Sequence, residues 1–134
     1  MTYWLIKTEP EVWSWEDQVK NGVTFWDGVR NYQARNNLKE MKVGDLAFFY
    51  HTGGERRIMG VVSVVKPYYP DPSDPNFGMV DVKTVKSFSC PVTLKEIKED
   101  PRFQELALVK QSRLSVMPID EKSWEILNLK GKCI

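Results

Sequence analysis

The sequence predicts an α+β domain, a small mixed β-barrel of five to six strands with short helices around it. Three observations carry that expectation. Apolar runs of strand length recur at residues 3–7, 46–52, 58–65, 79–88 and 113–119. Short stretches with helical spacing of apolar residues lie between them. Turn signals, above all Gly53-Gly54, join neighbouring runs as hairpins, which favours antiparallel pairing with helices set aside from the sheet.

The first strand is apolar up to Lys7, and Pro10 ends it because proline supplies no N–H to a ladder. Lys7, Thr8 and Glu9 therefore stand at its C-terminal end. Ser14, with Asp17 three residues on, forms a capping box. The helix it opens places Trp15 and Val19 on one face, and Gly22 can end it. Trp13 and Trp15, flanking the helix start, read as core residues. A strand then leads to Trp26, and Asp27-Gly28 makes a turn. Asn31 caps a second helix, with Ala34, Leu38 and Met41 on its buried face.

The clearest strand follows the turn at Lys42-Val43-Gly44-Asp45 and closes on Tyr50, His51 and Thr52. Gly60, in the middle of the return arm, marks a bulge or a close backbone approach. Residues 66–78 read as one long loop, stiffened by Pro67, Pro70, Pro72 and Pro75. Its Tyr68, Tyr69 and Phe77 either close over a pocket or tuck down onto the barrel. Residues 79–88 alternate as a half-buried strand until Cys90-Pro91 breaks it. Short helices near 94–97 and 103–108 precede the last strand. The final helix starts at Asp120, with Ile119 and Trp124 placed for a hydrophobic staple, Trp124 and Leu127 buried, and Gly131 as its stop.

A chain of 134 residues suits a single domain, residues 1–134. With 42% hydrophobic and 28% charged residues, disorder is not expected. A net charge of +1 gives no broad polyanion-binding surface, so any nucleic-acid contact should be local and pocket-like. No apolar run is long enough for a membrane helix, and Lys7, Glu9 and Glu11 interrupt any signal peptide. The two cysteines, Cys90 and Cys133, imply no disulfide framework, which fits a reducing compartment. A single histidine and no paired-cysteine motif argue against a metal site.

One stretch concentrates the chemistry: Phe25-Trp26-Asp27-Gly28-Val29-Arg30-Asn31-Tyr32-Gln33-Ala34-Arg35-Asn36-Asn37-Leu38. Asparagine, glutamine and arginine offer flat forks of donors and acceptors that match base edges. Tryptophan and tyrosine offer faces on which a base can stack. The plain alternative is an amphipathic helix with a solvated polar face. His51 reads as a ligand contact, a general base or a rim residue, with metal ligation the weakest for want of a second histidine or cysteine in a matching motif.

These residues carry a resemblance. Tyr3-Trp4-Leu5-Ile6-Lys7-Thr8-Glu9-Pro10, the run from Trp26 to Asn36, and Phe49-Tyr50-His51-Thr52 look like the EVE domain, as do Tyr69-Pro70-Asp71, Met79-Val80-Asp81-Val82 and Arg113-Leu114-Ser115. The likeness covers nearly the whole chain. It implies a PUA-like fold and an aromatic-walled pocket that reads a modified base, a 5-substituted cytosine in DNA. On a looser likeness to YTH domains, Trp26 would be the stacking wall, with Thr8 and the backbone near Lys7 and Glu9 at the base edge. The motif matches add Asn31, Tyr32, Arg35, Tyr50, His51 and Thr52 to the pocket, with Arg30, Tyr69 and Phe77 at its rim. Thr52 stands where many relatives carry serine. The chain lacks the basic N-terminal extension of nuclear members, so a cytoplasmic monomer is expected, with no cofactor, no metal and no catalysis. The partner implied is nucleic acid carrying a modified base. Three alternatives stand beside this reading: an RNA reader, a protein-interaction module, and an ASCH-like amidohydrolase acting on a modified nucleoside through lysine, threonine and an acid. Adjacent strand residues point to opposite faces, which disfavours Lys7, Thr8 and Glu9 as that trio.

Overall fold

β1 (Tyr3–Thr8) lies between two partners of opposite sense. It pairs in parallel with β3 (Leu46–His51), Lys7 standing opposite Tyr50, and antiparallel with β6 (Val116–Ile119). The computed structural model describes residues 1–134. β4 (Arg57–Asp71) and β5 (Asp74–Thr93) form a long antiparallel hairpin beside β3, and β2 (Val23–Trp26) adds to the outer side of β5. The sheet runs β2-β5-β4-β3-β1-β6, so β2 and β6 are its two edges and the expected barrel is not closed. Closure needs strands that continue the stagger around the axis. Here each edge strand has only 4 residues, and the chain leaves β2 for an irregular segment and β6 for a helix.

The helices are α1 (Trp15–Asn21), α2 (Tyr32–Glu40), α3 (Leu94–Glu99), α4 (Ala107–Lys110) and α5 (Glu121–Gly131), with a 3-10 turn at Pro101–Phe103. The caps of α1, α2 and α5 are the ones the sequence announces, while Thr93 and Glu96 add a capping box on α3 that it did not mark. Ser14 and Asp17 form a reciprocal capping box, and Asn31 and Asp120 cap α2 and α5 through their side chains. One expectation for α1 fails: Val19 is 47% exposed, whereas Gln18 is fully enclosed beside Trp15.

Residues 66–78 are not a loop. β4 and β5 stay paired through Tyr69 opposite Met79 and Pro70 opposite Gly78 to Asp71 opposite Asp74, and the chain reverses at Pro72-Ser73. Asp71 Oδ1 accepts from the N–H and hydroxyl of Ser73, at 2.8 and 2.7 Å, which closes the turn. The prolines are tolerated because the register slips repeatedly in this arm, leaving positions that need no ladder N–H. β5 likewise runs through Cys90-Pro91 to Thr93.

The core joins 31 buried residues. At its centre Phe49 takes the edges of Trp15 and Trp26, with ring centroids 5.0 and 5.4 Å away. Gly60 is the close approach its position suggested, since a Cβ there would lie 2.3 Å from the Trp15 ring. Cys90 on β5 and Cys133 beyond α5 are joined as a disulfide, with Cα atoms 5.3 Å apart. This corrects the expectation that the two cysteines stay unpaired, and it removes the argument for a reducing compartment built on it; sequence alone did not bring them together. α5 does, packing Gly131 against Phe88 of β5. Such a bridge contributes about 2–4 kcal/mol.

Candidate nucleic-acid-binding pocket

A cavity of about 320 Å³ opens where β1 ends and the chain turns out of β2. Lys7 and Thr8 line it from β1, Val12 and Trp13 from the turn before α1, and Ser115 from the approach to β6. The remaining wall is continuous from Thr24 through Trp26 and Asp27 to Arg30. The volume suits one heterocycle at the small end of ligand pockets.

Local backbone chemistry builds each wall. The carbonyl of Glu9 accepts the N–H groups of Val12 and Trp13, at 2.9 and 3.0 Å, and that turn carries Trp13 to the cavity. Gly28, with φ of 76°, supplies the left-handed step that side-chain-bearing residues resist, so the chain can swing from Trp26 back along the pocket. Val29, the next residue, is buried. Trp26 is only 6% exposed: its edge is packed on Phe49 and the remainder borders the hollow. Trp13 is half-buried.

The polar groups are held as firmly. Lys7 Nζ donates to the carbonyl of Ser112 at 3.1 Å and stands 5.6 Å from the centre of the Tyr50 ring. Burial pulls its pKa below the ordinary lysine value. The carbonyl of Thr8 accepts from both the N–H and the hydroxyl of Thr52, at 2.9 and 3.3 Å. Arg30 is tied to the hairpin tip, 3.5 Å from Asp71 and with its guanidinium 5.3 Å from the centre of the Phe77 ring.

Of the residues singled out in the sequence, Lys7, Thr8, Trp26 and Arg30 line this cavity. Glu9 contributes its carbonyl to the turn, and its side chain is exposed. Tyr50 is buried behind Lys7, and burial pushes its hydroxyl up to about 12. His51 is enclosed against α1, and Thr52 braces Thr8 from behind. Asn31 caps α2 by accepting the Ala34 N–H at 2.9 Å, and it borders a separate shallow depression with Gln33 and Arg113. Tyr32, 59% exposed, stacks on Phe77 at 5.2 Å with Arg35 over it at 4.8 Å. Tyr69 lies along the hairpin, its hydroxyl donating to Asp81 at 2.6 Å; burial and that bond push it up to about 12. Phe25 and Asp27, from the stretch that concentrates the chemistry, also line the cavity, as does Ser115 of the Arg113-Leu114-Ser115 motif. Trp13 and Thr24 are cavity residues that the sequence did not mark, and Trp13 carried no signal apart from its type.

A larger hollow of about 370 Å³, between the 3-10 turn and α5, is lined by Arg102, Glu105, Asp120 and Lys122 and has no aromatic wall. No group of three or more His, Cys, Asp or Glu side chains is placed to hold a metal ion. No helix is long and apolar enough to cross a membrane.

An open mixed sheet with peripheral helices and one aromatic-sided hollow defines a small α+β domain of the PUA type. The chain belongs to the EVE domain family, whose model matches residues 2–128. It is 34% identical to thymocyte nuclear protein 1 of Gallus gallus, over 93% of this chain and 66% of that protein's length. It therefore spans about two thirds of that relative. Rpa0253 from Rhodopseudomonas palustris superimposes with a TM-score of 0.94 at 40% identity, over 100% of this chain and 95% of its own. The human THYN1 protein, solved in complex with 5-methylcytosine containing DNA, gives a TM-score of 0.91 at 31% identity, covering 98% of this chain and 99% of that one. A YTH domain from Zygosaccharomyces rouxii, at 18% identity and a TM-score of 0.59, shares the fold alone.

Proposed function

We propose that this chain is a binding module that takes a 5-substituted cytosine of DNA, flipped out or single-stranded, into the cavity beside Trp26. The observation that carries this reading is the cavity itself: it is sized for one base and flanked by two indoles, with Lys7, Thr8 and Asp27 as edge groups. The likeness to a human protein solved with 5-methylcytosine containing DNA supports the choice of base. Withdrawing a base from a duplex costs a few kcal/mol, and stacking returns about 1–3 kcal/mol. Hydrogen bonds to the base edge supply the rest. Cytosine offers an amino group to a carboxylate such as Asp27 and acceptors to donors such as Lys7 and Thr8. Arg30, Tyr32, Arg35 and Phe77 form the rim along which the strand leaves, with Asn31 between them. Tyr50, His51, Thr52, Glu9 and Tyr69 act behind the walls. The protein works as a monomer and performs no chemistry on the base.

Titration of matched oligonucleotides carrying methylated, hydroxymethylated or plain cytosine, followed by tryptophan quenching, tests this. N6-methyladenine and RNA versions belong in the same series. A preference on the order of tenfold for substituted cytosine is expected; equal affinity across the series overturns the reading. One observation keeps a second reading in play: Lys7 and Thr8, although neighbours on a strand, both reach the cavity, and Asp27 joins them there. A lysine, a threonine and an acid in one hollow suit amide hydrolysis. A time course with N-acylated cytidine separates the two, because a binder forms no product.

A further inference from the structure

Gln18 is an anomaly of α1. The helix leaves Val19 at its surface and encloses a glutamine completely. A buried amide is costly unless its groups are satisfied, and here both ends are. Oε1 accepts the indole N–H of Trp13 at 2.9 Å. Nε2 donates to the carbonyl of Gly22 at 3.2 Å and to Thr84 Oγ1 at 3.3 Å. An indole nitrogen only donates and a carbonyl only accepts, so the amide has one possible orientation. The Thr84 hydroxyl in turn donates to the carbonyl of Gln18 at 2.9 Å, and the Thr84 N–H to that of Gly22 at 2.8 Å.

These bonds connect two walls of the pocket. Gly22 leads into β2, which carries Trp26, and Thr84 lies on β5 next to Lys83, the residue opposite Val23. Trp15, Trp26 and Trp124 each sit in an aromatic pair, whereas Trp13 has no aromatic partner to hold it. We propose that Gln18 is a positioning residue that fixes the Trp13 indole as the second wall of the cavity, at a set separation from the wall formed by Trp26. The consequence for base selection rests on the base-reading function; the positioning does not. Freed from Gln18, the half-buried Trp13 N–H turns toward water and the gap loses its gauge.

The test uses Gln18→Met, which keeps the unbranched chain and removes both polar atoms, and Trp13→Phe, which keeps a ring and removes the N–H. Acrylamide quenching attributable to Trp13 is read as the difference made by Trp13→Phe in the parent and in the Gln18→Met background. It should rise in the latter; an unchanged value overturns the proposal. In oligonucleotide titrations Gln18→Met should weaken binding of the 5-methylcytosine strand about three- to tenfold and narrow its preference over plain cytosine. Adding it to Trp13→Phe should cost little more. Fully additive losses would mean that Gln18 serves only the fold, which also overturns the proposal. If Gln18→Met does not fold, Thr84→Val, which removes a hydroxyl bonded to Gln18, should raise the Trp13 quenching in the same direction, and no rise counts against the idea. A parent protein indifferent to cytosine modification defeats the base-reading function, and the quenching result still decides the role of Gln18.

Discussion

The backbone N–H of Trp15 donates to Nε2 of His51 across 2.9 Å, fastening the first turn of α1 to the end of β3. Nδ1 lies 3.0 Å from a carboxylate oxygen of Glu55, so the ring proton resides on Nδ1 and is itself engaged. The His51 bond, with Arg57, holds the Glu55 carboxyl below its usual range. An imidazole occupied on both sides is neither a base nor a ligand contact. His51→Leu should therefore lower stability in urea by about 1–3 kcal/mol, the cost of a buried donor left unmet. Unaltered stability with lost oligonucleotide binding would return His51 to the pocket.

Trp26 is structural as well as pocket-forming. With its edge on Phe49 and only 6% of its surface exposed, Trp26→Ala should cost about 3–5 kcal/mol of stability and cannot serve as a clean binding test. Trp26→Phe retains a stacking face and much of the packing. Denaturant melts should rank the parent above Trp26→Phe and that above Trp26→Ala, with binding weakened but measurable in Trp26→Phe. Full affinity in Trp13→Ala would remove the stacking role of Trp13, and a Trp26→Leu variant that binds as well as Trp26→Phe would remove that of Trp26.

Arg35 ends a stack that begins at the pocket. Arg30 lies over Phe77, Phe77 on Tyr32, and Arg35 over Tyr32, while Arg35 Nη1 donates to the carbonyl of Asn76 at 3.0 Å. Cations interleaved with rings suit a single strand leaving the cavity. Arg35→Ala should weaken binding to every oligonucleotide alike and reduce the slope of log affinity against log salt by about 1. An unchanged slope would exclude a phosphate contact.

What the sequence disclosed were the features decided within a few residues. The Ser14 and Asn31 caps fall where local chemistry put them, and Gly28 takes a positive φ, although residues 27–30 form no regular turn. The features it hid are settled at long range. Val19 was expected inside and Gln18 is there instead, because partners as distant as Thr84, 66 residues on, satisfy its amide. The proline-rich arm looked like a loop because nothing local shows that its register slips spare the prolines. Cys90 and Cys133 meet only through the packing of α5. The pocket divided along the same line: Trp26, Lys7 and Thr8 came from contiguous motifs, whereas Trp13 is a cavity wall because of a hydrogen bond to a helix face that the pattern misassigned.

Asp45 contributes to the acid limit of this architecture, alongside other depressed carboxylates such as Asp100 and Asp120. It is buried at the start of β3, where Oδ1 accepts the Thr2 N–H at 3.2 Å and Oδ2 accepts the Trp4 indole N–H and the Lys42 N–H, each at 3.0 Å. Burial pushes this carboxyl up, but the three hydrogen bonds and the N-terminal charge outweigh it and hold it below the ordinary 3.8. A depressed carboxylate means that the unfolded chain takes up the proton first. Its contribution is thus complete above the unfolded value and fades as pH falls through the folded one. Urea stability should hold level down to about pH 4 and then decline. Asp45→Asn cannot reproduce both acceptor sites and should cost about 1–3 kcal/mol at neutral pH. The gap between Asp45→Asn and the parent should then close as the acid range is entered. A gap that stays constant through that range would show that the acid loss arises elsewhere.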